Sequence, residues 1–345
     1  MKLHRLSVQS VRNHTSFSCD FDERTTVIYG KNGAGKTALL EAIAIVYRGV
    51  SFRGSDKDIL RDDAKWYRID VIDDTKRPRR VFYDNRRERP IKQFIIDDKT
   101  HGRLPQKDKY PIVLFTPNDL RLIDGSPTRR RDYLDAVITQ CDPHYGMMRR
   151  RYERALLQRN KLLKLPHLQP EQLFSWNVIL SETGAYMIEA RIAYITRINA
   201  GLTDHYRRIA KTTDVITAEY THPHVTSQQL LSHYETATAR DLATGNTSVG
   251  PHRHDLVISM RGKPAIDTAS RGELRTIILA IKFIEAELLE EYCGDTPLIL
   301  LDDVYGELDE TRRESLSKNL SHHQIIITST DPIKGAPRHG NVALQ

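Results

Sequence analysis

The sequence predicts an α/β fold in which a mixed sheet and an antiparallel β-meander form a head, with an α-helical arm domain inserted into it. Three observations lead to this prediction. A glycine-rich turn lies between an apolar run and a helical run at residues 26–43, an apolar run ends in two aspartates at residues 297–303, and a helical stretch fills residues 143–210. The segments at 26–43 and 297–303 have the pattern of one α/β sheet, so the chain between them is predicted to contain an insertion.

The composition is that of a folded, basic protein. Of its 345 residues, 39% are hydrophobic and 28% are charged, which is typical of globular chains. The net charge of +7 permits a polyanionic partner without requiring one. Cys19, Cys141 and Cys293 form no Cys-x-x-Cys pair, so neither a metal site nor a disulfide framework is indicated and a reducing, cytoplasmic compartment fits. No run approaches about 18 apolar residues, so no membrane span is predicted.

Before the glycine-rich turn, apolar and polar residues alternate through residues 1–29 and predict strands of a small sheet. Residues 12–14, Arg-Asn-His, are a polar turn between these strands; a plain loop is favoured over contact with a nucleotide base. After the first helix, two Arg- and Lys-rich connections at residues 76–80 and 86–90 are either solvated turns or a rim that contacts phosphates. They join the β-prone runs of the meander at residues 66–72, 80–83 and 91–96.

Residues 30–37, Gly-Lys-Asn-Gly-Ala-Gly-Lys-Thr, fit the phosphate-loop pattern G-x-x-x-x-G-K-[ST] at every fixed position. A β-prone run precedes them and a helical run follows, which is the context that this motif requires. Backbone N–H groups of such a loop and the positive end of the helix favour a bound triphosphate, here ATP or GTP. We expect Lys36 to reach the β- and γ-phosphates and the Thr37 hydroxyl to bind Mg²⁺. The predicted nucleotide-binding residues of the loop are Gly30, Lys31, Asn32, Gly33, Ala34, Gly35, Lys36 and Thr37.

The middle of the chain predicts a short helical arm. A heptad-like stripe with Leu173, Leu180, Met187 and Tyr194 follows a basic helical run that ends at Pro166. This pattern predicts an antiparallel helical pair with its turn near residues 165–170. The predicted division of the chain is an N-terminal head segment at 1–139, the arm at 140–245 and a C-terminal head segment at 246–345.

Residues 297–303, Pro-Leu-Ile-Leu-Leu-Asp-Asp, predict a buried parallel strand that ends in two carboxylates. The carboxyl end of such a strand is where α/β folds place chemistry. Asp302 is positioned to hold Mg²⁺, directly or through water, and Asp303 to orient the attacking water. A compact phosphate-loop domain needs this strand beside the one before the loop, so the head is predicted to be split between the two ends of the chain.

Residues 269–275 open a long amphipathic helix, predicted from Leu274 to Glu291. Ser270 is a natural N-cap, with Glu273 three residues later in a capping box. These residues either serve only as that cap, or Ser270 and the backbone of Gly272 also face a phosphate at the helix N-terminus.

These elements, in this order, resemble the ATP-binding-cassette ATPases of the chromosome-maintenance type. Ser-Arg-Gly-Glu at 270–273 is similar to their signature motif, and Gly-Glu-Leu-Asp at 306–309 to their D-loop. The resemblance narrows to the RecF family, covers most of the chain and is weakest across about residues 143–240. The segments that carry it are Phe-Thr-Pro-Asn-Asp-Leu at 115–120, Arg-Arg-Arg-Asp-Tyr-Leu-Asp at 129–135, Val-Gly-Pro-His-Arg at 249–253 and Leu-Asp-Asp-Val-Tyr-Gly-Glu-Leu-Asp at 301–309.

The resemblance implies a head-to-tail homodimer that closes around two ATP molecules and grips duplex DNA near single-strand junctions. It further implies slow ATP hydrolysis that reopens the dimer, a role in recombinational repair and replication restart that helps RecA reach single-strand gaps, and RecR as a partner in a pathway with RecO. Ser270 and Gly272 would act in trans, and Thr330 would sense the γ-phosphate. The residues implied to act in cis are Lys36, Thr37, Asp302 and Asp303.

Two positions depart from the family pattern. Glu273 stands where the family usually has Gln, and His254 where Asp is common. With these departures we still expect nucleotide binding. ATP hydrolysis is expected to be weak and stimulated by DNA, and its rate stays open. Two other functions also stay open: a nucleotide-gated scaffold for protein partners with little hydrolysis, and a phosphate-loop kinase for a small metabolite.

Overall fold

The structure is a computed structural model and describes residues 1–75, 77–166, 168–332 and 340–344, so Lys76 of the first basic connection lies outside it. The chain forms two compact units, one of Met1–Asp119 with Ala286–Gln345 and one of Leu120–Glu285. The arm boundaries predicted at 140 and 245 therefore differ from those of the second unit. This unit also includes the helix at Pro127–Cys141, which packs on the arm helices, and the strand at Leu256–Met260, which pairs with the strand at Ile216–Tyr220 inside the predicted arm.

The described residues form strands and helices that match most of the predicted runs. The strands are β1 (Leu3–Val11), β2 (His14–Asp20), β3 (Thr25–Tyr29), β4 (Trp66–Asp73), β5 (Arg79–Asp84), β6 (Ile91–Ile96), β7 (Lys99–His101), β8 (Ile112–Phe115), β9 (Ile216–Tyr220), β10 (Leu256–Met260), β11 (Lys263–Pro264), β12 (Leu298–Leu301), β13 (Ile325–Ser329) and β14 (Asn341–Ala343). The helices are α1 (Lys36–Arg48), α2 (Asp56–Ile59), α3 (Arg121–Asp124), α4 (Pro127–Cys141), α5 (Pro143–Leu162), α6 (Phe174–Ala210), α7 (Ser227–Thr236), α8 (Thr238–Thr244), α9 (Ala265–Thr268), α10 (Arg271–Cys293) and α11 (Glu310–Asn319). Short 3₁₀ turns lie at Gln106–Asp108, Pro117–Leu120, Pro170–Leu173 and Tyr305–Glu307.

The first unit contains a parallel sheet in the order β14-β3-β13-β12-β8 and an antiparallel sheet in the order β2-β1-β4-β5-β6-β7. The predicted combination of parallel and antiparallel pairing is thus confirmed, and each kind of pairing has its own sheet. Helix α1 packs on strands of both sheets, and Ala38 to Tyr47 are all buried. A helix that is mostly apolar and buried all round needs packing partners on more than one side, as the two sheets provide here. The phosphate loop therefore begins a helix that the core holds on both sides.

The parallel sheet brings the two ends of the chain together. Ile327 of β13 pairs with Val27 of β3 on one side and with Leu301 of β12 on the other. Because the strands are parallel, the loop after β3 and the aspartates after β12 leave the sheet at the same edge. The proximity predicted for these segments is confirmed.

In the second unit, α5 and α6 form the predicted antiparallel pair. Tyr145 contacts Arg191, whereas Arg159, further along α5, contacts Asn177 near the start of α6. The start of α5 thus contacts the middle of α6 and the end of α5 contacts the start of α6, so the two helices are antiparallel. Residues 227–244 are mostly polar in sequence, yet they form α7 and α8; Leu230 and Tyr234 give α7 a narrow buried stripe. The remaining sheet of this unit has the order β11-β10-β9.

No helix in the described part of the chain combines the length and the apolar character that crossing a membrane requires.

Candidate nucleotide site

The phosphate loop has a backbone that only glycine accommodates at its last turn. Gly35 has φ +93°, and a Cβ atom there would lie 2.4 Å from Nε2 of His14. That imidazole nitrogen is 3.1 Å from the carbonyl oxygen of Gly35, and the amide of Asn13 donates to the carbonyl of Gly33 at 2.5 Å. Burial lowers the pKa of His14 from its ordinary value, so the ring contacts the loop as a neutral group. The turn at residues 12–14 therefore supports the loop from outside.

Lys36 is 4% exposed and its ammonium points along the inside of the loop. It donates hydrogen bonds to the carbonyl oxygens of Gly30 at 2.8 Å and Lys31 at 3.2 Å. Its Nζ also lies 4.0 Å from Oδ1 of Asp303. A buried ammonium needs anionic partners, and this one is near the nest of loop N–H groups that a phosphate would enter.

Thr37 and Asp302 meet across 265 positions of sequence, with the threonine hydroxyl donating to Oδ1 of the carboxylate at 2.7 Å. Behind them, Thr328 is fully buried in β13. Its hydroxyl lies 3.1 Å from the same oxygen of Asp302 and accepts a hydrogen bond from the backbone N–H of Asp303 at 2.8 Å. Thr328 therefore fixes both aspartates. Sequence reasoning missed it; the available signal was a threonine directly after the three isoleucines of β13.

The Asp302 carboxylate lies where its surroundings disfavour the charged form. Burial raises the pKa of Asp302, and the nearby Asp303 carboxylate adds to this rise, whereas hydrogen bonds from Thr37 and Thr328 oppose it. Asp303 has φ +53°, and its buried Oδ1 accepts no hydrogen bond from the described residues. This oxygen, the Thr37 hydroxyl and the Asp302 carboxylate are all hard oxygen ligands. Such a set suits a divalent cation such as Mg²⁺.

An open cavity of about 340 Å³ lies over the loop. Its wall includes a carboxylate, Glu41, that was not predicted; it accepts from Arg12 at 3.1 Å and from Ser51 at 2.6 Å. Arg12 thus lies in the cavity wall with its guanidinium bonded to Glu41, while contact between residues 12–14 and a nucleotide base stays a prediction. The lining residues are Arg12, Asn13, Asn32, Gly33, Gly35, Lys36, Thr37, Ala38, Glu41, Arg53 and Asp303.

Thr330 lies one residue beyond β13, at the same edge of the sheet as the loop. The N–H of Gly30 donates to the carbonyl of Ser329 at 3.2 Å, and the exposed Thr330 hydroxyl donates to Asp331 at 3.0 Å. Its neighbours leave this hydroxyl accessible from solvent.

Ser270 and Gly272 lie at the start of α10, in the second unit. Ser270 is exposed, and it forms the predicted capping box with Glu273: the serine N–H donates to Oε2 at 2.7 Å and the serine hydroxyl accepts from the Glu273 N–H at 3.3 Å. These bonds lower the pKa of Glu273. Arg261 also contacts Glu273, at 3.2 Å. At the exposed start of this helix, Ser270 and Glu273 thus each accept a hydrogen bond from the backbone N–H of the other.

The fold and the loop define a class. A family model described as an AAA domain matches residues 5–129. A solved Smc head, bound to the C-winged helix domain of ScpA, is 15% identical with a TM-score of 0.52, covering 96% of this chain and 90% of that one, which shows the fold alone. The chain has the fold of an ATP-binding-cassette ATPase head of the kind found in chromosome-maintenance proteins.

Closer relatives identify the family. The DNA replication and repair protein RecF of Chloroflexus aggregans is 33% identical over 374 residues, covering 96% of this chain and 94% of the relative, and that of Clostridium acetobutylicum is 32% identical over 342 residues, covering 96% and 93%. A solved structure of the recombination mediator protein RecF-ATP in the RecFOR pathway is 28% identical with a TM-score of 0.85, covering 96% of this chain and 93% of that one. The chain belongs to the RecF family.

Proposed function

We propose that this chain is an ATP-binding, slowly ATP-hydrolysing protein that closes on DNA and acts in recombinational repair and replication restart. The observation that carries the proposal is the 2.7 Å hydrogen bond between Thr37 and Asp302, which joins the phosphate loop to the carboxylate pair. A RecF relative whose solved structure is described with ATP supports ATP as the nucleotide.

The roles proposed for the loop follow from its contacts. Lys36 exchanges its bonds to the carbonyls of Gly30 and Lys31 for the β- and γ-phosphate oxygens, while the N–H groups of residues 30–37 hold the phosphates. Thr37 and Asp302 would hold Mg²⁺, which when bound would neutralise charge on the phosphate oxygens. Asp303, whose Oδ1 accepts no hydrogen bond from the described residues, orients the attacking water, and Thr330 contacts the γ-phosphate.

A second copy of the chain completes the site. Ser270 and the backbone of Gly272 would approach the γ-phosphate bound to that second copy, so that two ATP molecules lie between two heads. The exposure of Ser270 and its place at the N-terminus of a helix 23 residues long support this role, because the first-turn N–H groups of a helix attract an anion.

DNA is the proposed macromolecular ligand, as duplex and at single-strand junctions. The net charge of +7 and the Arg- and Lys-rich connections of the meander support binding to phosphates. RecR is the proposed protein partner, in a pathway with RecO that loads RecA at single-strand gaps. Relatives named for DNA replication and repair, and one described in the RecFOR pathway, support this placement.

The test is retention of DNA with and without ATP. Lys36→Ala removes the ammonium that the phosphates require, so ATP-dependent retention should disappear; Lys57→Ala removes the same charge from an exposed position and should retain it. Asp303→Asn should bind ATP and DNA but release DNA more slowly than wild type, because hydrolysis opens the dimer. Full ATP-dependent retention by Lys36→Ala would refute the proposal, and wild-type release by Asp303→Asn would favour a scaffold that does not depend on hydrolysis.

A further inference from the structure

Three side chains that can bind metal gather in the first unit, away from the phosphate loop in sequence. Glu290 lies near the end of α10, and His322 and His323 lie in the turn before β13. One ligand atom from each of the three lies within 4.8 Å of the others. Ligands of a single zinc ion lie about 3–4 Å apart, so small side-chain rotations would bring these atoms to a common centre.

His323 is the unusual member of this cluster. It is only 5% exposed, yet neither Nδ1 nor Nε2 has a hydrogen-bond partner among the described residues. A buried imidazole in this state has lost its hydrogen bonds to water without gaining a partner, which is unfavourable, so some compensation is expected.

The neighbouring groups hold the cluster in a defined arrangement. Glu290 accepts from the Thr296 hydroxyl at 2.8 Å through one oxygen and lies 3.1 Å from Nε2 of His322 through the other. The N–H of His323 donates to the carbonyl of Leu320 at 3.0 Å. Next to it, Gln324 donates to the carbonyl of Leu3 at 2.7 Å, which fixes this turn to the start of β1. A carboxylate with an outer hydrogen-bond donor is typical of metal sites.

We propose that Glu290, His322 and His323 bind a transition-metal dication of the Zn²⁺ type. Two imidazoles and a carboxylate favour zinc over Mg²⁺ or Ca²⁺, which take oxygen ligands. The side chains of His322 and Glu290 are 58% and 39% exposed, so the ion has a route in and water can take the fourth position. The ion ties the end of α10 to the turn that begins β13.

Zn²⁺ alone is the probe, added to the full chain prepared without a polyhistidine tag and with Mg²⁺ in excess to occupy the phosphate site. Competition with a chromophoric chelator gives stoichiometry and affinity, and thermal unfolding gives Tm. Wild type should bind one Zn²⁺ per chain and unfold at a higher Tm with the ion. His322→Ala should lose this binding, and Glu290→Gln should weaken it by at least about tenfold.

His323→Leu separates metal loss from misfolding. Leucine fills the buried position without unpaired nitrogens, so this variant should fold without zinc, with a Tm no lower than that of metal-free wild type, and should show no zinc-dependent rise in Tm. His233→Ala is the control, since it removes an exposed histidine from α7 and should bind Zn²⁺ as wild type does. Equal zinc affinity in His322→Ala and wild type, or no zinc bound by wild type, would overturn the proposal. Neither result would bear on the function proposed for the phosphate site.

Discussion

Gly250, in the Val-Gly-Pro-His-Arg segment, lies where the surroundings exclude even a methyl side chain. Its φ is +118°, and a Cβ atom would lie 2.3 Å from the hydroxyl of Tyr234 and 2.4 Å from that of Tyr152. Both tyrosines are almost fully buried, and their hydroxyls lie 3.2 Å apart. Tyr152 also contacts Nδ1 of His252 at 2.6 Å. Two rings that are packed and hydrogen-bonded cannot move aside, so the motif is glycine here for steric reasons.

Gly250→Ala should therefore lower the free energy of unfolding by at least about 3 kcal/mol, because strain at positive φ adds to overpacking. Urea denaturation measures the change. Gly262→Ala is the matched control: its φ is +75°, but nothing lies within 4 Å of the added Cβ, so only about 1 kcal/mol of backbone strain is expected. Equal losses in the two variants would contradict the steric account.

His254, at the position where the family commonly has Asp, predicts a pH effect on stability. Burial, followed by repulsion from the stacked ring of His222 at 3.7 Å, lowers its pKa from 6.5 to about 3. Below pH 6.5 His254 is protonated in the unfolded chain but stays neutral in the folded chain, so the free energy of unfolding falls as pH falls. From pH 7 to pH 5 this one histidine should remove about 2 kcal/mol.

His254→Gln should reduce the loss of unfolding free energy between pH 7 and pH 5 by about that amount relative to wild type. Urea denaturation at the two pH values gives the four free energies needed. His233→Gln replaces an exposed histidine and should keep the wild-type pH dependence. An unchanged pH dependence in His254→Gln would show that another group is responsible.

At the scale of elements, the arm is organised around a buried ion pair rather than by its apolar stripe alone. Arg159 of α5 and Asp241 of α8 have fully buried side chains joined by a 2.7 Å hydrogen bond. Arg159 also donates to Asn177 of α6 at 2.7 Å and to Thr247 at 2.8 Å. The Arg159 guanidinium thus connects α5 to α6, to α8 and to the loop that follows α8. Such a pair confers little net stability over apolar packing, but its loss is costly.

Asp241→Asn should cost about 3–5 kcal/mol of unfolding free energy, since it leaves the Arg159 charge buried without its counterion. Glu182→Gln is the control on the same arm. Its partner Arg151 lies 3.9 Å away, and both side chains are more than half exposed, so a change within about 0.5 kcal/mol is expected. Chemical denaturation distinguishes the two, and a small effect of Asp241→Asn would mean that water or rearrangement replaces the pair.

For the whole molecule, the central question is whether ATP assembles two copies. Multi-angle light scattering with and without ATP and Mg²⁺ measures the mass directly. Wild type should double its mass on adding ATP, and Ser270→Arg should stay monomeric because a large cation fills the space proposed for the partner's γ-phosphate. Ser270→Ala loses the same cap, worth about 1 kcal/mol, without the added bulk. The free energy of unfolding of Ser270→Ala shows how much of any destabilisation in Ser270→Arg comes from loss of the cap. Full dimerisation of Ser270→Arg would exclude a trans role for Ser270.

Much of the site was predictable because its chemistry lies in contiguous residues. Residues 30–37 carry the loop, its glycines and its lysine together, and residues 298–303 carry a buried strand with its two carboxylates. The supporting groups were not predictable in the same way. Thr328 acts on Asp302 and Asp303 only because β13 pairs beside β12, and Arg12 and Glu41 line the cavity only because β1, β2 and α1 pack together.

The sequence by itself determined the nucleotide loop, the carboxylate pair, the meander and the arm, since each depends on local periodicity and side-chain chemistry. Only the tertiary structure decided which remote groups touch: His14 against Gly35, Arg159 with Asp241, and Glu290 with His322 and His323. The physical reason is that such contacts depend on strand register and helix packing. Register and packing result from many weak interactions over the whole chain, so no single position in the sequence indicates them.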